Sequence, residues 1–588
     1  HLNDLTADLR DWLPAELAPA EREALLDHLI EGTLSAVDSA IGPVPDDPVP
    51  AAADAGDDDD ATVVEAQAET DEERPGARRV VEKLLDRLLY RGVLPRYAFP
   101  TDVVSFHVFD RDRSTRFRPE FQYAPSQGLP TALTQYAPGK EVWIDGKLWR
   151  SGALYSPMSS DRFEAWQQRR LYFECSVCHY AATREFDAAE RGQVENCPAC
   201  GSESTFGSAK NWIRPPGFAH PHTWDEGTSL DDQPARSYAT RAKLVAGGPA
   251  TEDGWRPVTE RIRQHYERRH LLVTNTGPRQ EGYTYCTRCG LIEPTAIPSR
   301  TVGGSHPKPY PDDRDPLCPG SAATRGLVLG TDFISDVLLV SLRVEAPLTL
   351  RPGYLATDVA LRTLSEALTI AATNRLEIEP GELQAEYRPA LSPGGHEGLE
   401  AEIYLYDTLA GGAGFARRVG ELGTAVFEDA IHLLEDCPAM CDSSCYRCLR
   451  SFKNRFEHAL LDRHLGASLL RYLVRGEAPT LDKARLEQAA DRLFEDLSRQ
   501  GDSAVAWHRN AGVDIPGIGR VEAPILARSG GRAYIIGVHG PLTPDTASDE
   551  ALRDAKEYGS VVPVILVDDI MISRNLPRAS QQVMEHLG

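Results

Sequence analysis

The chain has 588 residues, 41% of them hydrophobic and 26% charged, which is the composition of an ordinary soluble protein with several domains. No apolar run approaches the ~18 residues that span a bilayer, and the start does not read as a signal peptide, so no membrane role and a cytoplasmic location are expected. The formal charge of −25 excludes broad attraction to nucleic acid, so any phosphate contact needs a local basic surface. Eleven cysteines, most of them in Cys-x-x-Cys pairs, favour metal in a reducing compartment over a disulfide framework. The first residue is His1, so a fragment or a processed chain is expected.

Residues 1–42 are predicted as a helical segment, punctuated by Pro14 and Pro19, with Leu25, Leu26, Leu29 and Ile30 as its apolar stripe. Residues 43–77 follow as an acidic linker. From Asp46 to Glu73 it holds twelve Asp and Glu and no Lys or Arg, which leaves −13 of the −25 for the rest. Such a tract is a solvated linker, or in a second reading a phosphate mimic lying in a basic groove.

Residues 78–165 are the next unit. Arg78–Arg91 is amphipathic through Val81, Leu84, Leu85, Leu88 and Leu89, and Gly92 stops the helix. Tyr136-Ala-Pro138-Gly139 then leads into Glu-Val-Trp-Ile-Asp145-Gly146-Lys-Leu-Trp, two alternating strands around an Asp-Gly turn.

Residues 166–215 carry Cys175-Ser-Val-Cys178 and Cys197-Pro-Ala-Cys200, the spacing of a zinc ribbon with thiolates from two tight turns. In units this small, metal binding supplies most of the folding energy. Residues 216–325 form a second metal-binding segment. Cys286-Thr-Arg-Cys289 is a clear knuckle and Cys318 a third ligand. His306 is a candidate fourth, with an ordinary loop histidine as the alternative.

Residues 326–475 open on the strand-rich Gly326–Val340. A helix near Ala356–Thr373 is expected to cover one face of that sheet, giving an α+β arrangement. Glu402–Asp407 reads as a strand, Gly411-Gly412-Ala-Gly414 as a turn, and a helix begins near Phe415. Cys437, Cys441, Cys445 and Cys448 then fall within twelve positions, a density suited to a tetrahedral zinc rather than to packing. From Leu449 the chain is expected to run into a helix through Tyr472.

The order Tyr406-Asp407-Thr408, Gly411-Gly412-x-Gly414, four cysteines, and Cys448-Leu-Arg-Ser-Phe452-x-Asn454 resembles the C-terminal zinc domain of bacterial superfamily-two DNA helicases. These are helicases of the mitomycin repair factor A kind and of the DISARM and Druantia anti-phage systems. Gly92–Val104 and Tyr136–Trp149 also look like segments that follow the second motor lobe there. The resemblance covers approximately residues 80–475, making residues 78–165 a helicase-accessory region. It implies zinc, single-stranded DNA as a partner, and an ATP motor elsewhere in the same protein or in another polypeptide, with other defence or repair subunits as further partners. This chain has no Gly-x-x-x-x-Gly-Lys-Ser/Thr loop, His-Glu-x-x-His helix or Gly-x-Ser-x-Gly elbow of its own, and no catalytic residue is assigned.

Gly411, Gly412 and Gly414 precede a helix and are candidates to present backbone N–H groups to a phosphate; a plain strand-to-helix connection is the alternative. Arg417, Arg418, Arg447, Arg450, Lys453 and Arg455 cluster around them, interleaved with Tyr446, Phe452 and Phe456. Cations for phosphates and rings for bases suit a single-strand channel. Alternatively, the rings are core and the cations decorate the surface.

Residues 481–588 are expected to form a small α/β domain: a helix at Leu481–Arg499, then strands at Val521–Leu526, Ala533–Val538 and Val561–Val567. The pattern is similar to the PD-(D/E)xK nuclease core, with Asp514 before a hairpin. The central strand ends Gly537-Val538-His539 without an acidic-x-lysine pair, so the unit is read as degenerate, a scaffold or docking module. The expected whole is an α+β multidomain chain with two to three structural zinc sites. Its role is either nucleic-acid handling beside a helicase motor or, alternatively, zinc-ribbon recruitment of a protein partner without nucleic-acid contact.

Overall fold

The computed structural model describes residues 102–587 apart from 116–117, 226–237, 245–253, 296–299, 313, 390–397, 480–482, 501–504, 544–549 and 559–561, together with Ala24 and Asp27, both helical. The expected acidic linker and the Arg78–Arg91 helix lie outside the described residues, as does nearly all of the 1–42 segment. From Asp102 onward the described residues form one compact unit. This unit holds all three cysteine sets and the sheets that carry them.

One strand organises it. Ala323–Arg343 runs for 21 residues and is buried along most of its length. Its side chains alternate between two cores: Leu338, Val340 and Leu342 point into one, and Leu327, Leu329, Val337 and Leu339 into the other. A strand covered on both faces reads as a near-continuous apolar run, which is how this segment reads. The strand pairs antiparallel with all 14 residues of Ile262–Asn275. Near its start it meets Tyr283–Cys286 antiparallel and Lys210–Ile213 parallel, and in its second half Glu400–Asp407 antiparallel. These strands belong to one eleven-stranded sheet.

That sheet corrects the expected domain boundaries. The division at 325/326 falls inside the central strand, and the one at 165/166 inside the helix Ser159–Gln167. Segments 166–215, 216–325 and 326–475 share the sheet because a zinc knuckle has too little apolar surface to stand alone and docks on a common layer.

The helix Leu355–Leu376 covers the sheet as expected, and Ala425–Glu435 and Arg463–Arg475 pack over it. It is therefore buried on nearly all sides, from Ala356 to Thr373. The helix expected from Leu449 to Tyr472 is broken. Arg455–Leu460 is a single 3-10 stretch, and a new helix starts at Arg463, where Asp462 accepts the N–H groups of His464 and Leu465 at 3.1 Å each.

Ahead of the sheet, Val103–Phe109 pairs parallel with Phe218–His220 in a smaller sheet. Glu141–Ile144 and Lys147–Arg150 form the expected hairpin, with Asp145 and Gly146 at φ of 51° and 72°. At the C-terminus, Val505–Ile515, Gly519–Ser529 and Arg532–His539 are antiparallel neighbours. Val564–Asp568 adds parallel to the third after the helix Glu550–Tyr558. Leu542 and Ile570 of this unit join the core beneath the helix Leu355–Leu376. Among the described residues no helix is long and apolar enough to cross a membrane.

Candidate zinc centres and nucleic-acid interface

All three cysteine sets close into clusters whose ligand atoms lie within 4.8 Å of one another: Cys175, Cys178, Cys197 and Cys200; Cys286, Cys289, His306 and Cys318; Cys437, Cys441, Cys445 and Cys448. A zinc ion with four bonds of about 2.3 Å has sulfur–sulfur edges of about 3.8 Å. The first cluster gives 3.8 Å for Cys175–Cys200 and 3.6 Å for Cys178–Cys197. The third gives 3.6 to 3.8 Å on four edges. All eleven cysteines are free thiols. The donor sets therefore fit tetrahedral zinc.

Backbone N–H groups prepare several of the sulfurs for a negative charge. Val177 and Cys178 donate their N–H groups to Cys175 Sγ at 3.4 and 3.5 Å, and Ala199 and Cys200 repeat this at Cys197. Gly201 closes the second turn at φ 70°, a conformation L side chains rarely adopt. In the third cluster Arg447 N–H donates to Cys445 Sγ and Cys445 N–H to Cys448 Sγ. Donated backbone N–H groups, led by that of Cys441, pull the Cys437 thiol down to about 6.

His306 is the fourth member of the second cluster. Its Nε2 lies 3.1 Å from Cys289 Sγ, and its ring is 1% exposed. The Nδ1–H donates to the Gly304 carbonyl at 2.8 Å, which leaves the Nε2 lone pair directed at the sulfurs. The loop-histidine alternative does not describe this residue.

Around the third cluster two buried polar residues fix the backbone, and neither role is signalled by the local sequence. Arg463, 8% exposed, donates from Nε to the Cys441 carbonyl at 2.7 Å and from Nη1 to the carbonyls of Leu434 and Glu435. Asn454 donates to Glu366 Oε2 and the Leu449 carbonyl, both at 2.9 Å, while its Oδ1 accepts the Ser451 N–H. The motif Cys-Leu-Arg-Ser-Phe-x-Asn is thus a loop closed on its own asparagine and tied to the central helix.

The glycine turn corrects an expectation. Its amides are met from within the chain: Asp407 accepts the N–H groups of Ala413, Phe415 and Ala416, and Asp336 that of Gly414. Gly411 and Gly412 donate to the carbonyls of Ile334 and Leu409. Gly412 has φ 78°, and a Cβ there would stand 2.2 Å from Asp336 Oδ2. The anion at this helix start is the protein's own carboxylate, so Gly411, Gly412 and Gly414 offer no free amide to a phosphate. Arg417, also named as a candidate, pairs with Glu421 at 3.3 Å, and Arg418 is exposed beside it on the same helix.

The basic and aromatic residues after the cysteines behave differently. Tyr446, Phe452 and Phe456 are 69%, 74% and 65% exposed, which rules out the reading of these rings as core. Arg455 stacks its guanidinium 4.2 Å from the Phe452 ring centre and 4.5 Å from that of Phe456. Its Nη2 donates to the Tyr238 hydroxyl at 3.1 Å, and the Tyr238 and Phe456 rings lie 4.6 Å apart. Arg447 and Lys453 are exposed, and Arg450 is half-buried with its Nε on Ser444 Oγ at 2.9 Å. Met440, 84% exposed, and His458, edge-on to Tyr446 at 5.5 Å, complete the surface. Tyr238 arrives from over 200 positions away, and nothing local in the sequence could have placed it there.

The fold and these centres define an α+β protein with three cysteine-rich clusters fit to hold a metal ion. Residues 364–449 match the model of the MrfA Zn-binding domain. Over 557 residues, 90% of this chain, the sequence is 28% identical to Druantia protein DruE of Escherichia coli (strain UMEA 4076-1). The chain is thus similar to proteins of the MrfA and Druantia kind, and its third cluster lies within the segment that matches the MrfA Zn-binding domain. It spans 28% of the length of that relative. Crystal structures of DUF1998 helicase MrfA, with DNA and without, align at TM-scores of 0.29 and 0.24 with 10% and 11% identity. They cover 63% and 59% of this chain and 36% and 32% of theirs, a likeness too loose to bear on its function.

Proposed function

We propose that this chain is the non-motor, zinc-stabilised region of a bacterial DNA helicase of defence or repair, and that it binds and guides a single strand. One observation carries the reading: three exposed rings interleaved with Arg447, Arg450, Lys453 and Arg455 on a loop held by zinc ligands, Arg463 and Asn454. Exposed aromatics with cations beside them match the chemistry of an unpaired strand, whose bases stack and whose phosphates need charge. In a chain of net charge −25, such a local surface is what phosphate contact requires. ATP hydrolysis belongs to a motor outside this chain, in the same or another polypeptide. The C-terminal four-stranded unit is taken as a non-catalytic scaffold, since its third strand ends Gly537-Val538-His539.

The test is the salt dependence of binding to single-stranded DNA by the zinc-loaded chain. Each lost phosphate contact lowers the slope of log K against log salt by about 0.7. Replacing Arg447, Arg450 and Lys453 together by Ala should therefore weaken binding and lower the slope by up to about 2. An unchanged slope contradicts the reading. Negligible DNA binding with a protein that co-purifies favours a recruitment module instead.

A further inference from the structure

Beside the aromatic surface lies a polar cavity of about 300 Å³, walled by the first zinc ribbon, residues 240–244, the central helix and the strand Leu383–Pro389. A single water needs only ~10–15 Å³ of such space, so the cavity has room for something much larger. Its carboxylates are already paired: Glu174 with Lys243 at 2.5 Å, Glu386 with Arg362, and Glu457 with both Arg241 at 2.8 Å and Arg362 at 3.1 Å. A free ion entering would leave a desolvated charge without a partner, which disfavours a simple anion or cation. A neutral ligand avoids that cost.

The walls also specify shape and polarity. Tyr180, Tyr404 and Leu244 give flat or aliphatic surface. Arg362 and Arg388 line the cavity, and two of their donors lack a protein partner: Arg362 Nε, and Nη1 of Arg388, whose Nε already donates to Glu402; both nitrogens sit behind the cavity surface and meet a ligand when the side chains turn toward it. Flat walls, paired charges and unmet N–H groups suit a heteroaromatic ring carrying carbonyl or ring-nitrogen acceptors. The cavity and the aromatic surface share two stretches of chain. Tyr238 holds Arg455 and Phe456, and Arg241, three residues on, lines the cavity; Glu457, next to Phe456, closes its wall.

We propose that the cavity receives one unstacked base from the strand held on the Tyr446–Phe456 surface, its acceptor edge turned toward Arg362 and Arg388. The inference rests on the strand-binding reading above and adds a pocket to it. A base lifted from its stack into a pocket and read on its edge is an established mode of single-strand recognition.

The experiment is an abasic scan: single-stranded DNA probes, each lacking one base at a different position, titrated against the full zinc-loaded chain. Loss of the base that enters the pocket should weaken binding about tenfold, a loss that depends on the cavity being open, whereas losses at bases stacked on Tyr446, Phe452 and Phe456 do not depend on it. Leu244→Trp, which fills the cavity, should abolish the effect at that one position and leave the effects at the stacked positions. If that variant fails to fold, Arg388→Met with Glu402→Gln removes a donor without leaving a lone charge and should shrink the single-position effect. Tight binding with a scan that Leu244→Trp leaves unchanged overturns the base pocket and leaves the strand-binding reading intact. No binding to the unmodified probe overturns both.

Discussion

Asn454 Nδ2 donates to Glu366 Oε2 at 2.9 Å, with both residues buried and 88 positions apart. This bond joins the loop after the third cysteine cluster to the helix Leu355–Leu376, and so sets where Phe452 and Phe456 stand relative to the sheet.

Asn454→Ala leaves Glu366 and the Leu449 carbonyl without these donors. Each unmet buried group costs about 1–3 kcal/mol. The expected outcome is a lower midpoint in urea unfolding together with weaker single-strand binding, while the zinc content stays unchanged. Zinc loss alongside would show that Asn454 supports the metal cluster itself.

Metal analysis of protein purified without chelators should return three zinc ions per chain, one for each cluster. His306→Ala should reduce this to two, and His306→Cys should restore three, because a thiolate can replace the Nε2 donor. A content of three in the alanine variant would remove His306 from the ligand set.

The C-terminal unit carries a pH signature. Burial pushes Asp568 and Asp569 up to about 6, above the ordinary 3.8. The folded state thus holds these protons more tightly than the unfolded state does. Their effect on stability is absent below the ordinary carboxylate value and becomes increasingly unfavourable as pH rises to about 6, then levels off. A shift of two units corresponds to about 3 kcal/mol. Asp568 serves as an N-cap to Ile570 and Met571 through one oxygen, which an amide oxygen can replace. Asp568→Asn should hold or raise stability at pH 7.5 and flatten the fall between pH 4 and 6, as read by thermal unfolding across pH. A loss at pH 7.5 would contradict this.

The metal clusters were legible in the sequence because a Cys-x-x-Cys turn declares its chemistry locally. The helix at Ala356–Thr373 and the hairpin at Asp145-Gly146 declared themselves in the same way. The strand Ile262–Asn275 gave no such signal: its Arg-Gln-His-Tyr-Glu-Arg-Arg-His half is polar because it is only partly covered. Val505–Ile515 alternates exposed and half-buried positions and was missed for the same reason. The glycine turn looked open to an anion because Asp336, which occupies it, comes from a strand almost 80 positions earlier. Whether Phe452 and Phe456 were core or surface depended on which tertiary layer they faced, information a local pattern does not hold.

The most direct measurement replaces Tyr446, Phe452 and Phe456 together by Ala and follows single-stranded DNA affinity as salt is varied. Stacking contributes ~1–3 kcal/mol per base and carries no net charge. Affinity should fall at least about tenfold at every salt concentration, with the slope and the zinc content unchanged. Unaltered affinity would mean that these rings, exposed as they are, do not hold a strand.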